Sequence, residues 1–208
     1  MELQFGKNTW ATDNLSIINF LNGDKIPFAK SKKEWKKLCD NKLPACAYLN
    51  FKDKITKEGV YYNIFSIVDQ RGIIPKGWKI PTTKDWDSLA RAIGGKKNAG
   101  EAMKSTKGWV SYKSTEAGSS KFAALPSGKI GTSIDDPDFS SIGSLAYWWT
   151  KDIENSFPLS RTKEIENNRF VTTYVSQYGT ELLRSSIFSD DYNNEAYLGM
   201  NVRCVKDL

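Results

Sequence analysis

The order in which helix and strand patterns follow each other is the strongest constraint on what this chain can fold into. Apolar residues at helical spacing occur in the first half, where they predict helices at residues 32–39, after Thr82 or Thr83, and at 99–104. A strand at 58–69 and a structured loop at 72–81 lie between the first two. The second half predicts short strands, at residues 121–126, 145–150, 169–174, 181–187 and 196–205. Helices that precede strands are typical of an α+β fold, not of a doubly wound sheet.

Local signals fix where two of the helices begin. Ser31 and Glu34 form a capping box ahead of the first helix, and Thr82 or Thr83 can cap the second. The second helix carries an apolar stripe that consists of Trp86, Leu89, Ala90 and Ile93. Such a stripe packs against a core.

The chain shows no internal repeat and no low-complexity linker, so we expect a single domain over residues 1–208. Its aromatic content is high, with seven Trp, nine Tyr and ten Phe. This content indicates a core built of large rings, an aromatic binding face, or both.

The chain contains no His, which removes the commonest general base and metal ligand near neutral pH. Catalysis of the Ser-His-Asp or Cys-His kind is therefore excluded. The three Cys do not form a zinc-binding pattern. Cys39 and Cys46 either pair across a turn or stay free, whereas Cys204 shares a strand face with apolar neighbours and is expected to be a buried scaffold thiol. Paired carboxylates remain an alternative route to catalysis.

The charge and hydropathy of the sequence indicate which classes of partner are expected. Residues 1–113 are net basic and the remainder net acidic, but few of the basic residues are Arg, so we expect a solvated lysine-rich face and no nucleic acid. No apolar run is long enough to predict a transmembrane helix. The N-terminal sequence does not show the pattern of a signal peptide.

Two loops rich in oxygen ligands are candidate calcium sites. They contain Asp135, Asp136 and Asp138 in the first and Asp190 and Asp191 in the second. Calcium prefers six to eight such ligands, but neither loop follows the EF-hand pattern, so calcium has no motif to support it. The alternative is a pair of ordinary turns.

Aromatic and amide side chains supply the candidate ligand-binding residues. Trp148 and Trp149 are consecutive in a predicted strand and face opposite ways, so one belongs to the core and Trp149 is a candidate stacking platform. The other candidates lie in polar loops and are Tyr174, Gln177, Tyr178, Tyr192, Asn193 and Asn194. Tyr, Ser and Asn are enriched in adaptable binding loops, although ordinary hairpin turns are the alternative.

An ordered series of motifs resembles a known family. The motifs are residues 6–15 (GKNTWATDNL), 22–27 (NGDKIP), 62–63 (YN), 74–82 (IPKGWKIPT), 85–86 (DW) with Leu89, 99–100 (AG), 103–105 (MKS), 108–109 (GW), 122–128 (FAALPSG), 147–150 (YWWT) and 202–207 (VRCVKD). In this order they resemble the Fibrobacter succinogenes major paralogous domain, over residues 6–207.

The resemblance implies a C-type-lectin-like fold and a position at the cell surface or outside the cell, since members are typically surface lipoproteins or exported proteins of Bacteroidetes-like bacteria. Without a visible signal peptide, a cytoplasmic protein or one associated with a virion or injection particle is the alternative. The matching positions imply an aromatic scaffold of Trp10, Trp78, Trp86, Trp109 and Trp148. The calcium-sugar motifs of true C-type lectins are not present. Formylglycine-generating enzymes need two cooperating Cys in their C-terminal part, where this chain has only Cys204.

These observations predict a non-catalytic module that binds a glycan or a protein through loops at residues 130–145, 151–168, 174–180 and 188–197. The alternative is a structural or assembly subunit of a surface fibre, injection apparatus or phage-like tail, present as an oligomer or larger assembly. An enzyme based on carboxylates or on Cys204 is the third hypothesis.

Overall fold

The structure is a computed structural model that describes residues 2–110, 118–131, 133, 135–152, 169–176, 182–186 and 196–206. It is a mixed α+β arrangement with antiparallel sheets and helices in the first half, which confirms the predicted class. The helices are α1 (Lys32–Asp40), α2 (Ile64–Val68), α3 (Thr83–Ala92) and α4 (Lys96–Met103), with a 3-10 helix at Leu49–Phe51. The strands are β1 (Glu2–Phe5), β2 (Asn8–Ala11), β3 (Cys46–Ala47), β4 (Tyr61–Tyr62), β5 (Trp78–Lys79), β6 (Lys129–Ile130), β7 (Phe139–Ser140), β8 (Leu145–Asp152), β9 (Arg169–Ser176), β10 (Leu182–Ser186) and β11 (Val205–Lys206).

Two larger sheets organise the described chain. The terminal sheet has the strand order β1-β2-β11-β5, and within it Trp10 pairs with both Leu3 and Val205. This sheet therefore joins the two ends of the described chain. The three-stranded sheet has the order β10-β9-β8, and the remaining pairs are β3-β4 and β6-β7.

The caps of α1 and α3 follow the sequence signals. The Ser31 hydroxyl accepts a hydrogen bond from the Glu34 backbone N–H, although Glu34 itself accepts from Lys30 and not from Ser31. At α3, Thr82 and Asp85 form a complete capping box, because each side chain accepts from the backbone N–H of the other residue. Both helices begin where the sequence predicts.

Removing the α3 cap is expected to lower the free energy of unfolding by about 1 kcal/mol, because Thr82→Ala leaves the Asp85 N–H without its acceptor. Urea unfolding followed by circular dichroism measures this loss. The control variant Thr82→Ser keeps the hydroxyl and should retain most of the stability. Equal midpoints for Thr82→Ala and the unmodified chain would contradict the assigned cap.

The first core cluster is a stack of large rings between the helices and the three-stranded sheet. The ring centroids of Trp10 and Trp86 are 4.6 Å apart, and those of Trp86 and Trp148 are 5.5 Å apart. Phe122 packs edge-on against Trp148 at 5.8 Å. Helices α3 and α4 supply surrounding apolar side chains, so Ala146, Trp148, Val175 and Leu182 of the sheet are buried against this cluster.

Two further clusters complete the core. The second surrounds Tyr62 and Trp149 and includes Met200, Val202 and Cys204 from the C-terminal segment. The third surrounds Trp35 of α1, whose indole N–H donates to the carbonyl oxygen of Tyr197 at 2.9 Å. The C-terminal segment, residues 196–206, therefore contributes side chains to both of these clusters.

Three predicted strands differ from the structure. Within 58–69 only Tyr61–Tyr62 is a strand, because Asn63 caps a helix through its side chain and ends the strand. Residues 121–126 form no strand but only a bridge at Ala124, since Ala123 has a positive φ. Residues 196–205 contribute bridges and the start of β11.

The loop predicted at 72–81 and the strands predicted in the second half can also be compared with the structure. The loop at 72–81 contains the short strand β5, which joins the terminal sheet. Strands β8, β9 and β10 lie where the sequence predicts them, apart from Glu181 and Ile187, which are outside the described residues. Within the described parts of the chain, no helix has the length and apolar character needed to cross a membrane.

Candidate functional site

The three-stranded sheet places two tyrosines side by side on one of its faces. In the antiparallel pair β8-β9, Tyr147 lies directly opposite Tyr174. Their ring centroids are 5.4 Å apart with an interplanar angle of 32°, and both side chains are half-buried. Opposed residues on one face of a sheet are in contact range, so the register alone creates this pair.

The opposite face of the same strands is closed. Trp148 and its partner Thr173 are both fully buried, and Trp148 and Val175 belong to the first core cluster. The hydroxyl oxygens of Thr150 and Thr173 lie 2.7 Å apart and add a buried cross-strand hydrogen bond. The tyrosine pair is thus backed by packed core and not by a loop.

Lys129 of β6 adds a charge to the tyrosine pair. Its Nζ lies 5.1 Å from the ring centroid of Tyr147, a distance typical of a cation–π contact. Burial lowers the pKa of Lys129, and no carboxylate of the described residues lies within ion-pair distance of it. We call Lys129, Tyr147 and Tyr174 the tyrosine platform.

The Tyr147 hydroxyl remains protonated over a wide pH range. Burial raises the pKa of Tyr147, an effect that a hydrogen bond with the Ser141 side chain partly offsets and the neighbouring Tyr174 increases. The platform therefore presents two phenol rings and one lysine side chain, which suit a ligand with an apolar face and hydrogen-bond acceptors.

Trp149 is not a stacking platform, which corrects the sequence-based expectation. Its side chain is fully buried in the second core cluster, and its indole N–H donates to the carbonyl oxygen of Tyr62 at 2.9 Å. Both faces of β8 are covered at this position, by different clusters. Trp148 and Trp149 do face opposite ways, but neither ring is open to solvent.

Lys32 forms ion pairs with the first acidic loop, which contains Asp135, Asp136 and Asp138. Lys32 Nζ lies 2.9 Å from a carboxylate oxygen of Asp136 and 3.2 Å from one of Asp138. Asp138 also accepts the backbone N–H of Phe139, as in a turn, while Asp135 is exposed. In the described parts of the chain no group of three or more Asp, Glu or Cys side chains is placed to hold a metal ion.

Several candidate residues fall outside the described residues. They are Gln177, Tyr178, Asp190, Asp191, Tyr192, Asn193 and Asn194, together with the loop at 153–168. Of the candidate ligand-binding residues, the structure therefore places only Tyr174 on the platform. Tyr147 and Lys129 were missed from the sequence, although the alternation around Trp148 puts Tyr147 on the other face of β8.

The tryptophans predicted to form the scaffold lie in, or pack against, the first and second core clusters. Trp10, Trp86 and Trp148 are fully buried in the first cluster, with Trp109 half-buried against its edge. Trp78 is half-buried against the second cluster. The thiols of Cys39, Cys46 and Cys204 are buried and free, so Cys39 and Cys46 do not pair in this structure.

Hydrogen bonds among the buried side chains of Asn14, Trp148 and Arg203, which we call the polar hub, connect parts of the scaffold. The sequence analysis did not predict this hub. Asn14 Oδ1 accepts hydrogen bonds from Trp148 Nε1 and from Arg203 Nε, each at 3.0 Å. The Arg203 guanidinium also donates to the Phe122 carbonyl oxygen at 3.1 Å and stacks on the Phe122 ring. Burial lowers the pKa of Arg203, an effect that the charge of Asp13 partly offsets. The hub fixes β8 relative to both ends of the chain.

The chain matches a known protein family. The model of the Fibrobacter succinogenes major domain matches residues 3–206, which is nearly the whole chain. No curated protein and no solved structure matches the chain.

Proposed function

The chain belongs to the Fibrobacter succinogenes major domain family, and we propose that it is a non-catalytic module that binds a glycan or a protein through the tyrosine platform. The observation that carries this proposal is the half-buried Tyr147–Tyr174 pair beside Lys129, held on a sheet whose other face is core. A rigid backing lowers the entropy lost when a ligand binds.

The side chains of the platform suit recognition. Tyrosine rings offer an apolar surface with a polar edge and lose little conformational entropy, so they are frequent in binding surfaces. The Lys129 ammonium lacks a carboxylate partner among the described residues and favours a ligand that brings acceptor oxygens. Sugar hydroxyls, uronic carboxylates and peptide carbonyls all meet this requirement.

The proposal includes a C-type-lectin-like fold and a position at the cell surface or outside the cell. Both are implied by the resemblance of the sequence motifs to this one family. The terminal sheet, which joins both ends of the chain, and the separate three-stranded sheet in the second half are compatible with such an architecture. The fold assignment thus rests on the motifs together with the strand order.

The non-catalytic part of the proposal rests on the chemistry of the side chains. The sequence has no His, so the commonest acid–base group is missing. Burial raises the pKa of Cys204 to about 12, which leaves almost no thiolate at neutral pH. A nucleophilic role for Cys204 therefore has little support.

A binding screen tests the proposed function. The intact chain is presented to glycan arrays, cell-envelope extracts and candidate proteins, and a ligand found there is titrated against variants. We expect Tyr174→Ala and Lys129→Met each to weaken binding by about tenfold or more, as residues at the centre of an interface do. Circular dichroism verifies that each variant is folded.

Lys36→Met is the matched control for Lys129→Met. Lys36 Nζ of α1 lies 5.2 Å from the ring centroid of Tyr197, so the change removes the same charge from another lysine–tyrosine contact, together with the ion pair to Asp40. Affinity should be unchanged in this variant. A ligand whose affinity is the same in Tyr174→Ala, Lys129→Met and Lys36→Met would refute the platform as the binding site.

A further inference from the structure

A groove lies beside Trp78 at the end of the terminal sheet. It is lined by residues 11–16 together with Pro75, Trp78 and Cys204, and its volume is about 290 Å³. That volume is near the lower end of the range for small-molecule sites, roughly 300–1,000 Å³. The Trp78 ring is half-buried against the second core cluster, so part of it remains available to a ligand.

The segment that lines the groove is held in place without a ligand. The Ala11 N–H donates to the Cys204 carbonyl oxygen at 2.9 Å, and the Leu15 N–H donates to Val202 at 2.8 Å. Between them, the buried Arg203 guanidinium donates to the carbonyl oxygens of Ala11 and Thr12. A groove with a fixed wall loses little entropy on binding.

The charges around the groove restrict what it can accept. Asp13 is exposed, and its carboxylate accepts only the Thr12 hydroxyl among the described residues, at 2.6 Å. This carboxylate disfavours anions and leaves acceptor sites for hydroxyl donors. Lys206 Nζ lies 5.7 Å from the Trp78 ring and 3.0 Å from a carboxylate oxygen of Glu2, so an ion-paired cation already occupies one position over that ring.

From these features we infer that the groove is a binding site for a neutral, hydroxylated ring such as a pyranose residue of a saccharide. The apolar face of the sugar stacks on Trp78, and its hydroxyls donate to the Asp13 carboxylate. The site shares no residue with the tyrosine platform, and each stands or falls without the other.

The inference is tested by titrating the full chain with neutral tetrasaccharides. Cellotetraose, maltotetraose and mannotetraose are added up to about 10 mM and binding is followed by isothermal titration calorimetry, with a dissociation constant near 1 mM expected for one small site. Trp78→Leu and Asp13→Asn should each weaken binding about tenfold. Trp109→Leu, which changes another half-buried tryptophan, should leave it unchanged.

Several results would overturn the inference. One is the lack of saturable binding by all three saccharides. Another is equal binding by the unmodified chain and by Asp13→Asn, which changes an exposed residue and whose folding is verified by circular dichroism. Tighter binding of hexyltrimethylammonium than of any saccharide would count equally against it. If Tyr174→Ala alone lost the saccharide, the platform would gain support and the groove would be rejected.

Discussion

Gly128→Ala is expected to destabilise the chain by at least about 3 kcal/mol, because the new methyl group has no space and its neighbours are backbone atoms. A Cβ at Gly128 would lie 2.1 Å from the Ser140 carbonyl oxygen and 2.9 Å from the Ile142 nitrogen. The residue also has a φ of +63°, which L-amino acids avoid. The backbone would have to move, and the bond from the Gly128 N–H to the Leu145 carbonyl oxygen, 2.8 Å long, would be disturbed.

Gly77→Ala is the matched control for this prediction. Gly77 also has a positive φ, of +82°, but a Cβ there would meet no atom within 4 Å. The change should therefore cost only the strain of the left-handed conformation, about 1 kcal/mol. Urea unfolding of both variants measures the difference. Equal losses would mean that the close approach at Gly128 is not as the structure has it.

The chain is expected to lose about 4 kcal/mol of its free energy of unfolding between pH 7.5 and pH 10, from the three buried thiols alone. Burial raises the pKa of Cys39, Cys46 and Cys204 from 9.0 to about 12 in each case. In the unfolded chain these thiols ionise above pH 9, while in the folded chain they keep their protons. The unfolded state therefore binds fewer protons, so stability falls as pH rises from 9 towards 12.

A variant with all three cysteines changed to alanine isolates this effect. It should be less stable at neutral pH because of the removed side-chain volume, but its stability should fall much less between pH 7.5 and pH 10. The buried Tyr61 and Tyr62, whose pKa burial also raises, are present in both proteins and cancel in the comparison. Parallel slopes for the two proteins would show that the thiols are not buried as protonated groups.

The elements that could be predicted from sequence are those fixed by local interactions. Helix α3 has its cap, its apolar stripe and its glycine end within a few residues, and it forms where these signals place it. Strands β8, β9 and β10 were also predicted, because the stretches between them are rich in Gly, Ser, Asn and Asp. The segment at 58–69 misled the prediction, since Asn63 interrupts an otherwise strand-like sequence by capping α2.

The tyrosine platform could not be predicted from local sequence patterns, because its residues are brought together by long-range pairing. Tyr147 and Tyr174 meet only because β8 and β9 pair in one register, and a shift of one residue would separate them. Lys129 joins them from a different strand pair. Trp149 was misjudged because its cover comes from Tyr62 and the C-terminal segment, which are distant in sequence. Long-range packing, not propensity, decides these positions.

The most direct test of the central claim is to observe the platform tyrosines while a ligand binds. Tyrosine-labelled protein is titrated with a ligand from the binding screen, and the ring resonances are assigned by single Tyr→Phe variants. The account predicts that the resonances of Tyr147 and Tyr174 shift saturably with one dissociation constant, while those of the fully buried Tyr61 and Tyr62 stay in place. Saturable binding that leaves the Tyr147 and Tyr174 resonances unmoved would contradict it.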